Sequence, residues 1–225
     1  MSKKIDRALY GPSWVEVILG AVLSLVLGGL LATVYLVIKP VQTVKEMPKE
    51  KDIVRGAIYY IEGSNDATKG KQWTRKRQQL AAGESVVLTE EELNAVFAPS
   101  SQPGKPGTEA APAPGGGVLN KGTPNFRLRD GRMQIGVPCT ITVLGYSQPV
   151  TVVATGTFVK DGDTFVFDPD QFHVGSLAVN RLPMVEGFVK RKLVALQVVP
   201  EDLTADWKKL ANVSLEGKSL RLTMP

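Results

Sequence analysis

The chain is poor in the residues that most often mark chemistry: it has one histidine and one cysteine in 225 residues. A lone His173 cannot build a His-rich metal site, and no Ser/His/Asp arrangement has support in the sequence. A lone Cys139 excludes an intramolecular disulfide framework, although it does not locate the compartment. It stands in an alternating apolar run, where cysteine behaves as a small buried hydrophobe. No P-loop, dinucleotide fingerprint or zinc-ligand pair occurs. Asp161, Asp163, Asp168 and Asp170 lack the spacing of a calcium loop, and Asp161-Gly162-Asp163 and Asp168-Pro169-Asp170 are ordinary turn chemistry. Aromatic residues make up 7% of the chain and barely interleave with its basic clusters at 69–77 and 190–192. Those clusters therefore read as solvated faces, and nucleic acid is not an expected partner. The expectation is a protein with no catalytic, cofactor-binding or metal-binding residues, and so not an enzyme.

What the chain does have is a long apolar run. Residues 14–38, WVEVILGAVLSLVLGGLLATVYLVI, carry one charge, Glu16. About 20 apolar residues span a bilayer core as a helix. Trp14 and Tyr35 lie near the two ends, where amphipathic rings favour the interface. Lys39 and Pro40 stop the helix. A cleaved signal peptide has a shorter apolar core and a small-residue cleavage site, whereas this run passes through Val34, Tyr35, Leu36 and Val37 without one. An uncleaved single-pass anchor is expected. Counting only Lys and Arg near the span, the C-terminal flank holds more positive charge, which argues for keeping that side inside. Long domains translocate largely regardless of charge, however, and a basic N-terminal flank (Lys3, Lys4, Arg7) is the usual signal-anchor layout. The expected topology has residues 1–13 cytoplasmic and the domain extracytoplasmic. Within the span, Gly20, Ser24, Gly28 and Ala32 recur every four residues and line one stripe. Such a stripe lets two membrane helices approach closely.

Behind the anchor the chain divides into three. Residues 39–97 read as helical: Ile53, Ala57, Tyr60 and Ile61 have helical spacing, and 69–84 is a basic helix or loop. Val86-Val87-Leu88 is a short extended run, followed by a helix that Thr89 and Glu92 cap. Residues 98–124 are rich in Pro, Gly, Ser and Ala and form a flexible linker or loop. Residues 125–225 begin with long antiparallel strands joined by tight turns at Asp130-Gly131, Gly145–Gln148 and Asp161-Gly162. Gly136, Pro138 and Gly156 predict bulges or curvature. A helix over 183–197 follows, then a helix opened by Pro200, and two short strands flanking Gly217-Lys218. The fold class is α+β: a curved antiparallel meander packed with helices, behind one transmembrane helix.

The stretches VVLTEEELNAVF (86–97) and FHVGSLAVNRLPMVEGFVKRKL (172–193), with Leu88-Thr89, Leu93-Asn94, Gly175-x-Leu177 and Leu182-Pro183, resemble the YpmS-like group of membrane-anchored extracytoplasmic proteins. They are also similar to halves of tubular lipid-binding (TULIP-like) domains. The linker at 98–124 departs from a compact version of that pattern. The resemblance implies a hydrophobic groove between a curled sheet and a helix, able to hold an acyl chain. Its walls would be Val152, Ala154 and Phe158 on the sheet and Val185, Phe188, Val189 and Leu193 on the helix. It implies no catalytic residues. The leading expectation is a membrane-anchored envelope protein whose domain binds partner proteins or completes a membrane complex. A lipid carrier is the alternative, and an enzyme of unknown class comes third.

Overall fold

The computed structural model describes residues 11–97, 119–143, 145–182, 187 and 201–225. The first element, α1 (Trp14–Ile38), is long and apolar enough to cross a membrane, by length and composition. Its start is a capping box. Ser13 Oγ accepts from the Glu16 amide, and Glu16 returns a bond from its carboxylate to the Ser13 amide at 3.2 Å. Ser13 and Glu16 thus satisfy one another's backbone N–H at the helix start, which gives the carboxylate a partner at the edge of the apolar run.

The body of the protein is antiparallel sheet. Strands β5 (Asn125–Arg129), β6 (Arg132–Val143), β7 (Tyr146–Asp161), β8 (Thr164–Val174) and β9 (Leu177–Ala178) pair in succession. The Asp130-Gly131 turn has φ of 53° and 70°, the two left-handed positions that a tight hairpin favours. The next turn is tighter than the sequence suggested: β7 begins at Tyr146, paired with Val143. A bulge falls between Thr155 and Gly156, where pairing steps from Gln171 to Pro169. A Cβ at Gly156 would strike the backbone carbonyl of Asp168, so glycine is needed there. Gly136 answers a different need. Its missing side chain makes room for the Tyr60 ring, and β6 pairs with β7 through Gly136 and Pro138 without a shift.

A second sheet joins distant parts of the chain. β3 (Val86–Thr89) pairs with β11 (Ser219–Thr223), which pairs with β10 (Asn212–Glu216). Its apolar residues meet the large sheet in the main core, where Leu88, Leu220 and Leu222 join Leu128, Met133, Phe165 and Phe167. Helix α2 (Gly70–Ala81) adds Leu80, and α3 (Glu90–Phe97) adds Leu93. The short α4 (Glu201–Trp207) brings Trp207 against Phe158, with ring centroids 5.9 Å apart.

Two expectations are corrected. Residues 52–63 are not a helix: Glu50–Asp52 form a 3-10 turn, and β2 (Tyr59–Ile61) pairs in parallel with β1 (Gln42–Val44). The spacing of Ile53, Ala57 and Tyr60 was coincidental. Tyr60 is buried with Val41 and Val153 on the sheet face opposite the main core, and Gly56 at φ 75° interrupts any helix. The linker ends sooner than residue 124, because β4 (Leu119–Lys121) pairs with β6 at 139–141. The expected helix 183–197, with Val185, Phe188, Val189 and Leu193, lies outside the described residues, Gly187 apart.

Candidate functional site

The free edge of β5 is covered by side chains. Among the described residues β5 pairs with β6 alone, so its outer N–H and C=O groups need other partners. Asn94 on α3 gives Phe126 both: its Oδ1 accepts from the Phe126 amide at 2.7 Å, and its Nδ2 donates to the Phe126 carbonyl at 2.8 Å. The same Nδ2 donates to the Ser64 carbonyl. Glu90 accepts from the Leu128 amide at 2.7 Å and from the Ser64 amide at 2.6 Å. Asn125 Oδ1 accepts from the Tyr60 hydroxyl at 2.6 Å and from the Gly63 amide at 2.7 Å. Burial, reinforced by the Glu62 carboxylate, pushes the Tyr60 phenol well above its ordinary pKa. It therefore stays a neutral donor.

Thr89 and Glu92 form the expected capping box at the start of α3. Glu92 is 1% exposed and is neutralised by Lys76 at 2.7 Å. Asn94 and Glu90 gave little sequence signal; an asparagine within the apolar run Leu93-Asn94-Ala95-Val96 is the only hint.

Beside this lattice lies an open groove of about 1190 Å³. Lys45, Glu62, Glu91, Arg127, Asp130 and Lys218 give it charges of both signs. The Glu91 carboxyl is held below its ordinary pKa, first by its own backbone N–H and then by the Thr89 and Ser64 hydroxyls. Glu90 already has both oxygens engaged. The groove thus offers charges of both signs for recognition. Among the described residues no group of three or more His, Cys, Asp or Glu could hold a metal.

The expected apolar face is present on β7. Val152 and Ala154 pack with Phe172, Leu177 and Val179, while Ala154 and Phe158 also meet the main core. Phe158 lies 5.8 Å from Phe167. At the Val152 end the occupants are Leu36 and Val37, from the last turn of α1. The docking includes polar bonds: the Ser176 amide donates to the Leu36 carbonyl at 2.9 Å, and Ser176 Oγ donates to the Lys39 carbonyl at 3.2 Å. Gly175, at φ 58°, approaches so closely that a Cβ would strike the Val37 carbonyl. The structure therefore brings the three sheet residues onto one face but covers them at both ends.

Gly20, Ser24, Gly28 and Ala32 all lie on exposed helix surface, and a Cβ at Gly20 or Gly28 would meet nothing within 4 Å. His173 lies on the opposite face of β8, in a cavity of about 490 Å³ with Tyr59, Gln134, Asn180 and Arg181. Its burial, and then the Arg181 cation, lower its pKa. Comparison with protein families, with curated proteins and with solved structures found no match for this chain.

Proposed function

We propose that the protein is a non-enzymatic, single-pass membrane-anchored envelope protein whose extracytoplasmic domain binds a partner protein or completes a membrane complex. The observation that carries this reading is the docking of α1 on the sheet. Leu36, Val37 and the Ser176 bonds make the end of the apolar helix part of the domain's own packing. Cleavage of the helix as a signal peptide would uncover Phe172 and Leu177, so retention fits the packing. A domain fixed to its anchor presents its faces at a set angle to the bilayer. The two-signed groove beside β5 is the face best suited to a protein partner. The basic N-terminal flank supports a cytoplasmic N-terminus, and the unpartnered small-residue stripe supports a helix–helix contact. The lipid-carrier alternative needs a curved sheet with an open apolar channel. Among the described residues, Trp207 and Phe167 pack at one end of the β7 face and Leu36 and Val37 at the other.

The test is purification of the full chain from its native membrane in mild detergent, followed by N-terminal sequencing and identification of bound protein and lipid. The expected result is a retained N-terminus and a stoichiometric protein partner. Recovery of that partner should fall with Lys45→Glu plus Lys218→Glu in the groove, or with Gly28→Ile on the stripe. One lipid per chain and no partner sensitive to these changes would favour the carrier. A mature chain beginning after residue 30 would remove the anchor altogether.

A further inference from the structure

We propose that the tip of the β6–β7 hairpin is a second membrane contact, seated at the headgroup level of the bilayer that α1 crosses; this rests on α1 being an anchor. Strand β8 runs toward the end of α1, and its terminal Gly175-Ser176 turn bonds to the carbonyl of Leu36. Since the last turn of the helix lies at the bilayer surface, that turn marks the membrane side of the domain. The last β7–β8 pair is Val152 with Val174. Residues 146–151 of β7 continue past it in the same direction, still paired with β6 as far as Val143 and Tyr146. At about 3.3 Å per residue, those six residues carry the hairpin roughly 20 Å along the strand beyond the end of β8, so a tip seated among the headgroups requires the strands to run obliquely to the bilayer.

The chemistry of this overhang matches the destination. From Met133 to Val159 the sequence has no charged residue. Tyr146 is 83% exposed, although its amphipathic ring is of the kind that collects at membrane interfaces. The opposite end of β7 differs: Lys160, Asp161 and Asp163 surround the β7–β8 turn. The hairpin is thus uncharged at the end that points to the membrane and charged at the end that points away. The mutual pairing of β6 and β7 satisfies one edge of each strand. The edge of β7 that β8 no longer covers still wants water or headgroup oxygens, which sets the depth at the interface and not in the hydrocarbon.

The test uses the full chain in vesicles of phosphatidylcholine and phosphatidylglycerol, with an environment-sensitive fluorophore at Tyr146→Cys, Asp163→Cys or Leu25→Cys. Cys139 is buried and stays in place. Brominated acyl chains serve as the quencher. A blue shift and quenching at 25 and 146, with neither at 163, is the expected result. Quenching at 25 without any at 146 overturns the hairpin contact and leaves the anchor standing. Quenching at both 146 and 163 also overturns it, because the domain would then lie flat. No quenching at 25 removes the anchor itself, and this proposal with it.

Discussion

At the outer edge of β5, Asn94 bonds both the N–H and the C=O of Phe126 with one amide group. Asn94 is 3% exposed, so water cannot readily replace it. Asn94→Leu keeps the branched shape but removes the bonds to the Phe126 N–H and C=O and to the Ser64 carbonyl. Leaving a buried polar group unpaired costs about 1–3 kcal/mol, so the variant should lose about 2 kcal/mol or more, read by denaturant unfolding in detergent. A loss below 1 kcal/mol would mean that water reaches the edge. His173 gives a prediction in pH. Its folded-state pKa lies below the ordinary 6.5 because of burial and the neighbouring Arg181. The unfolded chain therefore takes up the proton first. The stability His173 contributes is present above pH about 6.5 and is lost as pH falls below it. Melting followed between pH 7 and pH 5 should decline in the wild type and decline less in His173→Gln. Equal slopes would show that other groups govern the range.

At the scale of elements, short-range signals were legible and long-range ones were not. The Thr89/Glu92 capping box, the Asp130-Gly131 turn and the Gly217-Lys218 turn each depend on residues a few positions apart, and each stands where the sequence put it. The parallel pairing of β1 with β2 and the pairing of β3 with β11 were invisible. The partners of β3 lie more than a hundred residues downstream, and nothing in Val86-Val87-Leu88 names them. Tyr60 misled because its burial is set by Gly136 and Asn125, and not by its own helix-like neighbours. Of the candidate site, the common face of Val152, Ala154 and Phe158 followed from strand alternation. Its occupants among the described residues did not, because they come from α1 and α4. β4 refines what can be removed from the Pro/Gly-rich segment. Deleting 99–116 should leave melting nearly unchanged, since loop-closure entropy varies weakly with length. Extending the deletion to 122 removes the three pairs of β4 with β6 and the Gly122 amide bond to the Pro138 carbonyl at 2.7 Å. It should therefore lower the melting temperature. Equal melting of the two deletions would mean that β4 adds nothing to the sheet.

For the whole molecule, the question is whether the anchor and the domain move as one body. Their union rests on few contacts, and Gly175 is the most exacting of them. Its φ of 58° is costly for a side-chain-bearing residue, most of all a β-branched one. Its Cβ position is already filled by the Val37 carbonyl. Gly175→Val should therefore force the end of α1 away from the β8–β9 turn. The Ser176 amide then loses its acceptor at Leu36, and Phe172 and Leu177 lose the cover of Leu36 and Val37. The main core, built around Leu128, Leu220 and Leu222, makes no use of that contact. Hydrogen exchange on the full chain in detergent separates the possibilities. Peptides covering 172–178 should exchange faster in the variant, while those covering 128 and 220–222 stay protected. Ser176→Ala, which removes only the hydroxyl bond to Lys39, should show a smaller change confined to the same peptides. Faster exchange throughout would mean that docking the anchor is needed to fold the domain. No change at 172–178 would mean that the helix and sheet are joined only by the chain between them, and the domain would then have no fixed orientation on the membrane.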